Sequence, residues 1–148
     1  MKLKFYYILI VFLTIFSSCN ISPEPIKYGK DNCNYCKMTI TDNRFASELL
    51  TNKGKIYKFD EISCMLAFVS EQELDSTKIE GMYISDYCPN NNLSNKNLMF
   101  FMLSDSLKSP MGGNVAAFSN KDSIKKYNEK IQGKNLTWHD VVKYSIEE

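Results

Sequence analysis

Two kinds of periodicity meet in Gly54-Lys-Ile-Tyr-Lys-Phe-Asp-Glu-Ile-Ser-Cys-Met-Leu-Ala-Phe-Val69. From the turn glycine to Phe59 the chain is short and carries β-branched and aromatic residues, which reads as a strand. From Ile62 on, the apolar residues Ile62, Met65, Leu66 and Val69 fall at i, i+3, i+4 and i+7, the stripe of an amphipathic helix. Asp60 stands at the junction and is the expected N-cap.

A second stretch repeats this plan. Leu98-Met-Phe-Phe-Met-Leu103 reads as a strand, Ser109-Pro-Met-Gly-Gly113 as a turn, and Asn114-Val-Ala-Ala-Phe118 as another strand. A helical stripe of Ile124, Tyr127 and Ile131 follows, with Ser119 as the polar cap and Gly133 as a stop. In both stretches a glycine, Gly54 or Gly113, lies five residues before a phenylalanine, and Met65 and Ile124 each lie six residues after theirs. The first stretch is preceded by Met38-Thr-Ile-Thr-Asp42 and Phe45-Ala-Ser-Glu-Leu-Leu50, both read as extended. Gly81-Met-Tyr-Ile-Ser-Asp-Tyr87 alternates like a strand, and Pro89-Asn-Asn-Asn-Leu-Ser-Asn95 breaks the pattern. A last helix starts at Thr137, with Asp140 three residues on as a variant capping box. The expectation is an α+β fold of two strand–strand–helix units, each with a possible further strand, divided at about 31–80 and 81–148.

The N-terminus has a different character. Lys2 and Lys4 precede a charge-free apolar run from Phe5 to Phe16, and Ser17-Ser18 lead into Cys19. That run is too short for a permanent span and fits the apolar region of a secretory signal. Small residues directly before a cysteine resemble a bacterial lipoprotein box, which makes residues 1–18 a cleaved signal segment and Cys19 the lipidated terminus. Residues 19–30, with Pro23 and Pro25, form a tether, and residues 31–148 form the folded domain. This places the domain on a bacterial cell membrane, facing the periplasm or exterior.

Composition excludes several functions. The chain has 148 residues, 44% hydrophobic and 24% charged, which is ordinary for a globular protein. A net charge of +1 leaves no basic excess for a phosphate backbone, so nucleic acid is not expected as a partner. His139 is the single histidine, which rules out a hydrolytic zinc site built on several imidazoles. Five cysteines and seven methionines point instead to sulfur chemistry.

That sulfur is concentrated in a few places. Cys33-Asn-Tyr-Cys36-Lys-Met38 puts two thiols and a thioether within six residues, a donor set suited to Cu(I). Cys64 lies off the helix stripe near a helix start, where the macrodipole should lower its pKa, while Met65 lies on the stripe. Met111 sits in a Pro-Met-Gly-Gly turn that offers it no burial. Met82, Met99 and Met102 are read as core, and Cys88 as an incidental thiol. Competing readings are a zinc site, a thioredoxin-like redox motif and a Cys33–Cys36 structural disulfide.

On these residues the sequence resembles the NosL family of copper-binding lipoproteins, which help assemble nitrous-oxide reductase. The resemblance rests on Cys19, Asp31-Asn-Cys-Asn-Tyr-Cys-Lys-Met38, Gly54 through Met65, and Ser109-Pro-Met-Gly112 with Ala117-Phe118. It implies two similar ββαβ-type units packed into one compact domain, like the core of organomercurial lyase. It also implies a Cu(I) carrier rather than an enzyme, working with nitrous-oxide reductase and a membrane copper and ABC-transport assembly complex. The metal candidates carried over are Cys33, Cys36, Met38, Cys64, Met65 and Met111, more than one Cu(I) ion takes, and the subset stays open. An organomercurial-lyase-like thiol enzyme using Cys33, Cys64 and Asp60, and a purely structural lipoprotein, are the alternatives.

The intact mass of membrane-extracted protein is expected to show an acylated N-terminal cysteine at position 19; a free Met1 terminus would overturn the signal reading.

Overall fold

A computed structural model describes residues 22–89 and 92–147. The signal segment and Cys19 lie outside the described residues. The first sheet contains β1 (Ser47–Thr51), β2 (Ile56–Phe59), β3 (Ile79–Ser85) and β4 (Leu93–Asn95), in the order β2-β1-β3-β4. The second contains β5 (Phe100–Leu103), β6 (Val115–Phe118) and β7 (Lys134–Leu136), in the order β6-β5-β7. All strand pairings within these sheets are antiparallel. Helix α1 (Ile62–Glu71) joins β2 to β3, α2 (Lys121–Ile131) joins β6 to β7, and α3 (Trp138–Glu147) ends the chain.

Each half is thus a ββαβ unit with its first strand in the middle, the α+β arrangement expected above. In the first unit β3 pairs along β1, and β4 adds to the outer side of β3 in the same sheet. The two units meet where Asp86 forms a parallel bridge with Ala117 and Tyr87 N–H donates to Ala117 O at 2.8 Å. The Asp86 carboxylate reinforces this seam by accepting from Cys88 N–H, Ser119 N–H and Ser119 Oγ.

The cores follow the apolar stripes. Met65 and Leu66 of α1 pack with Leu49, Phe59, Ile84 and Val141, and α1 lies against α3. Phe45, Met102, Phe118 and Ile124 form a second cluster beneath α2. Met82, Met99 and Met102 are buried, as expected of core residues.

Several local expectations give way to tertiary contacts. Met38–Asp42 forms no strand, only a single bridge at Thr39 to Asn32, because the backbone of Cys33 and Ile40 pairs within a closed loop. The 89–95 break contains the short strand β4, which pairs with the end of β3. Glu61 occupies the cap position of α1 in place of Asp60 and makes no side-chain cap bond. Asn120 caps α2 in place of Ser119, whose hydroxyl is taken by Asp86. Gln132, not Gly133, takes the left-handed cap conformation at φ 48°. Gly133 is needed for close approach, since a Cβ there would stand 2.5 Å from Met102 Cγ. The Thr137–Asp140 capping box forms as expected, with Thr137 N–H donating to Asp140 at 2.9 Å and Asp140 N–H to Thr137 Oγ1 at 3.2 Å.

A buried carboxylate ties the N-terminal segment to this frame. Glu48 of β1 is fully buried; its Oε1 accepts from Glu24 N–H at 3.0 Å, and its Oε2 has no hydrogen-bond partner among the described residues. Burial pushes its pKa up to about 7, against the pull of the Glu24 N–H and of Lys58. The unfolded chain releases this proton at the ordinary 4.5, so between 4.5 and about 7 the unfolded state binds fewer protons than the native one. Stability is therefore expected to fall as pH rises through that window, and Glu48→Gln to flatten the trend. Urea unfolding of both proteins across the window checks this; equal slopes would refute it.

Candidate metal centre

The site begins on an exposed sheet edge. β2 is the outer strand of its sheet, so one side of its backbone needs partners from elsewhere. Asn34 supplies them: its N–H donates to Lys58 O at 2.8 Å and its Oδ1 accepts from Lys58 N–H at 2.7 Å. The Lys58 ammonium then bonds Asp31 Oδ2 at 2.9 Å. Asp31 also accepts from Lys27 N–H, and that bond and Lys58 together hold its carboxyl below the usual range. Within the loop, Cys33 N–H donates to Met38 O and Lys37 N–H to Cys33 O, with Lys37 in the left-handed region at φ 68°. The Cys33–Cys36 segment is therefore a fixed loop on the β2 edge, not the helix start that a thioredoxin-like motif would use.

β2 runs from Lys58 directly into the second half of the site. Asp60 follows Phe59 at the corner between strand and helix, and Cys64 comes one turn later on α1. The sulfur atoms of Cys33, Cys36 and Cys64 and a carboxylate oxygen of Asp60 all lie within 4.8 Å of one another. Donors held about 2.3 Å from one ion stand about 4 Å apart, so a small contraction would close this set around a metal. Cys33, Cys64 and Asp60 are buried and Cys36 is half-buried. Cys33, Cys36, Cys64 and Cys88 are all free thiols.

The protons are unevenly distributed. Cys36 Sγ donates to Asp60 Oδ2 at 3.4 Å, while Asp60 Oδ1 is buried without a hydrogen-bond partner among the described residues. A bond from Cys64 pulls the Cys33 thiol down to about 6, with help from backbone N–H groups and against its burial. Burial pushes Cys36 up to about 11. Cys64 is raised because it donates to Cys33, with burial and Asp60 adding to the effect. This reverses the expectation that the helix start would acidify Cys64; the charge-stabilised thiol is Cys33. A buried carboxylate within 4.8 Å of a readily ionised thiol is the environment a cation would complete.

The six sulfur candidates thus separate. Cys33, Cys36 and Cys64 come together. Met38 is 52% exposed on the same loop as the first two. Met111 is 47% exposed, and its loop reaches the start of α1 through Met111 N–H, which donates to Glu61 Oε2 at 2.9 Å. Met65 is fully buried in the core. Cys88 lies on the seam between the units, and His139 is exposed on α3. Asp60, expected as the helix cap and, in the lyase alternative, as an acid beside Cys33 and Cys64, was not among the metal candidates; the signal available was an acidic pair directly between a strand and Cys64.

Comparison with known proteins agrees with this picture. Among curated proteins no sequence matches the chain. A crystal structure described as the copper chaperone NosL from Shewanella denitrificans shares the fold, with a TM-score of 0.66 and 22% identity over 81% of this chain and 95% of that one. The NosL family model matches residues 26–146, nearly all of the described chain, and the protein belongs to the NosL family.

Proposed function

We propose that this protein is a Cu(I) carrier, a copper chaperone that is no enzyme. The carrying observation is the grouping of three thiols and a carboxylate within 4.8 Å. Thiolate and thioether donors favour Cu(I), and two exposed methionines, Met38 on the cysteine loop and Met111 on a loop bonded to Glu61 beside Asp60, favour it over Zn(II), which seldom uses thioether. The copper chaperone whose fold the chain shares supports the same reading. We extend the proposal to a lipid anchor at Cys19, a position outside the cytoplasm, and delivery to nitrous-oxide reductase through a membrane assembly complex, as the family resemblance implies.

The same grouping brings together Cys33, Cys64 and Asp60, the groups a carbon–mercury lyase would need. Cys33 and Cys64 are buried, however, which suits a bare ion better than an organic substituent. Release of a hydrocarbon from an organomercurial by the reduced protein would favour the enzyme.

Under anaerobic, reducing conditions, titration against a competing chelator is expected to give one Cu(I) per chain, bound more tightly than Zn(II). Cys33→Ser and Cys64→Ser should each weaken that binding about tenfold or more, equivalent to about 1.4 kcal/mol. Tighter Zn(II) binding in the same titration would overturn the assignment of the metal.

Met65 and Met111 separate packing from binding. Met65→Ala should lower unfolding stability by about 2–5 kcal/mol, as for other buried methionines. Met111→Ala should cost less than about 1 kcal/mol, typical of surface changes, yet weaken Cu(I) binding about tenfold. If Met111→Ala unfolds the protein while the folded fraction keeps its copper affinity, Met111 is a packing residue.

A further inference from the structure

The loop that carries Met111 is built around a carboxylate from another part of the chain. Glu61 is buried, with 2% of its surface exposed. Its Oε2 accepts from Met111 N–H at 2.9 Å; its Oε1 accepts from Gly113 N–H at 3.3 Å and from Ser63 Oγ. The loop is closed on itself by Ser109 and Asn114: Ser109 N–H donates to Asn114 Oδ1 at 3.1 Å and Asn114 N–H to Ser109 Oγ at 2.7 Å. Lys108, Gly112 and Asn114 all take positive φ, so the loop is tightly turned where the Met111 and Gly113 amides meet the carboxylate. The approach is close enough that a Cβ at position 113 would stand 2.6 Å from Glu61 Oε1.

Glu61 itself cannot shift easily. Its carbonyl accepts from Ser47 Oγ of β1 at 3.1 Å and from Met65 N–H of α1 at 3.4 Å. It adjoins Asp60 in the chain and stands three residues before Cys64. It stands at the cap position of α1 but makes no cap bond; its side chain is spent on a loop 50 residues away. Burying a carboxylate costs free energy that backbone donors only partly return. The loop so held buries little of its own: Met111 remains 47% exposed. A contact of that cost that leaves a large apolar side chain in solvent serves placement better than it serves packing.

We propose that Glu61 is a positioning residue that holds the Met111 thioether at the rim of the Cys33–Cys36–Asp60–Cys64 cluster, where it takes part in binding Cu(I). The inference rests on the copper-carrier reading. Glu61 does not touch the ion; it acts through Met111.

The test compares the full chain with Glu61→Gln and Gly113→Ala variants, each made in the parent and in the Met111→Ala background. Gly113→Ala forces the loop off the carboxylate without altering Glu61, so the test survives if Glu61→Gln fails to fold. Two quantities are read: Cu(I) affinity by anaerobic chelator competition, and the ¹³C-methyl NMR signal of Met111 on adding Cu(I). In the parent background each variant should weaken Cu(I) binding about fivefold to tenfold and abolish the copper-induced shift of the Met111 methyl. In the Met111→Ala background neither should weaken binding further, the non-additivity expected of two residues acting as one unit. Equal losses in both backgrounds, or unchanged affinity and methyl shift, would overturn the role of Glu61. A parent chain that binds Cu(I) without moving the Met111 methyl would also overturn it while leaving the carrier reading intact. A parent chain that binds no Cu(I) would overturn both.

Discussion

A reciprocal pair of hydrogen bonds between Asn34 and the backbone of Lys58 is the constraint on which the candidate metal centre depends. An outer strand carries unsatisfied amide and carbonyl groups, and the Cys33–Cys36 loop satisfies those of Lys58 through one asparagine. Because Lys58 lies two residues before Asp60 and six before Cys64, fixing the loop there sets two thiols against a third thiol and a carboxylate that arrive by a different route. The Lys58 side chain strengthens the clamp through Asp31, and the same ammonium lies 3.7 Å from Glu24, beside the carboxylate of Glu48. One residue of an edge strand thus organises the segment around Glu24, the cysteine loop and the approach to the helix.

Charge within the cluster follows from who donates to whom. Cys64 gives its proton to a bond with Cys33, and Cys36 directs its own at Asp60, so the acidified sulfur is Cys33. A buried thiol of low pKa beside a buried carboxylate with an orphaned oxygen concentrates negative potential in a place that water reaches poorly. The Cys33 sulfur is held by bonds from Cys64 and neighbouring backbone N–H groups, whereas Asp60 Oδ1 has no hydrogen-bond partner among the described residues, a group that a cation could satisfy.

The two ββαβ units put the same corner to different uses. Phe59 and Phe118 end equivalent strands, and a polar residue follows each. In the first unit that residue, Asp60, turns toward the thiols and the next, Glu61, holds the Met111 loop of the second unit. In the second unit Ser119 bonds Asp86, which is the seam between the sheets. The repeat therefore supplies one corner that joins the thiol–carboxylate cluster and one structural corner, and the Glu61 contact links the units from the opposite direction.

Much of this was legible in the residues themselves. The helical stripe from Ile62 to Val69, the strand ending at Phe59, the repeat in residues 98–131 and the Thr137–Asp140 box all formed, because each depends on local periodicity or on side chains within a turn of one another. The sulfur donor set was legible for the same reason: chemistry follows from residue type. What the sequence could not determine was every role set by a partner distant in the chain. Asp60 fits a cap or an acid equally by its local sequence, and only the fold sets it against the cysteine loop; Ser119 fits a cap, yet its hydroxyl bonds Asp86; Met38–Asp42 fits a strand, although its backbone bonds close a loop. Glu61 and the loop at Met111 are separated by 50 residues, and no local pattern signals their contact. Hydrogen bonds and desolvation act over a few ångströms of space, whatever the separation along the chain, so only the folded structure could decide which polar group each buried side chain would meet.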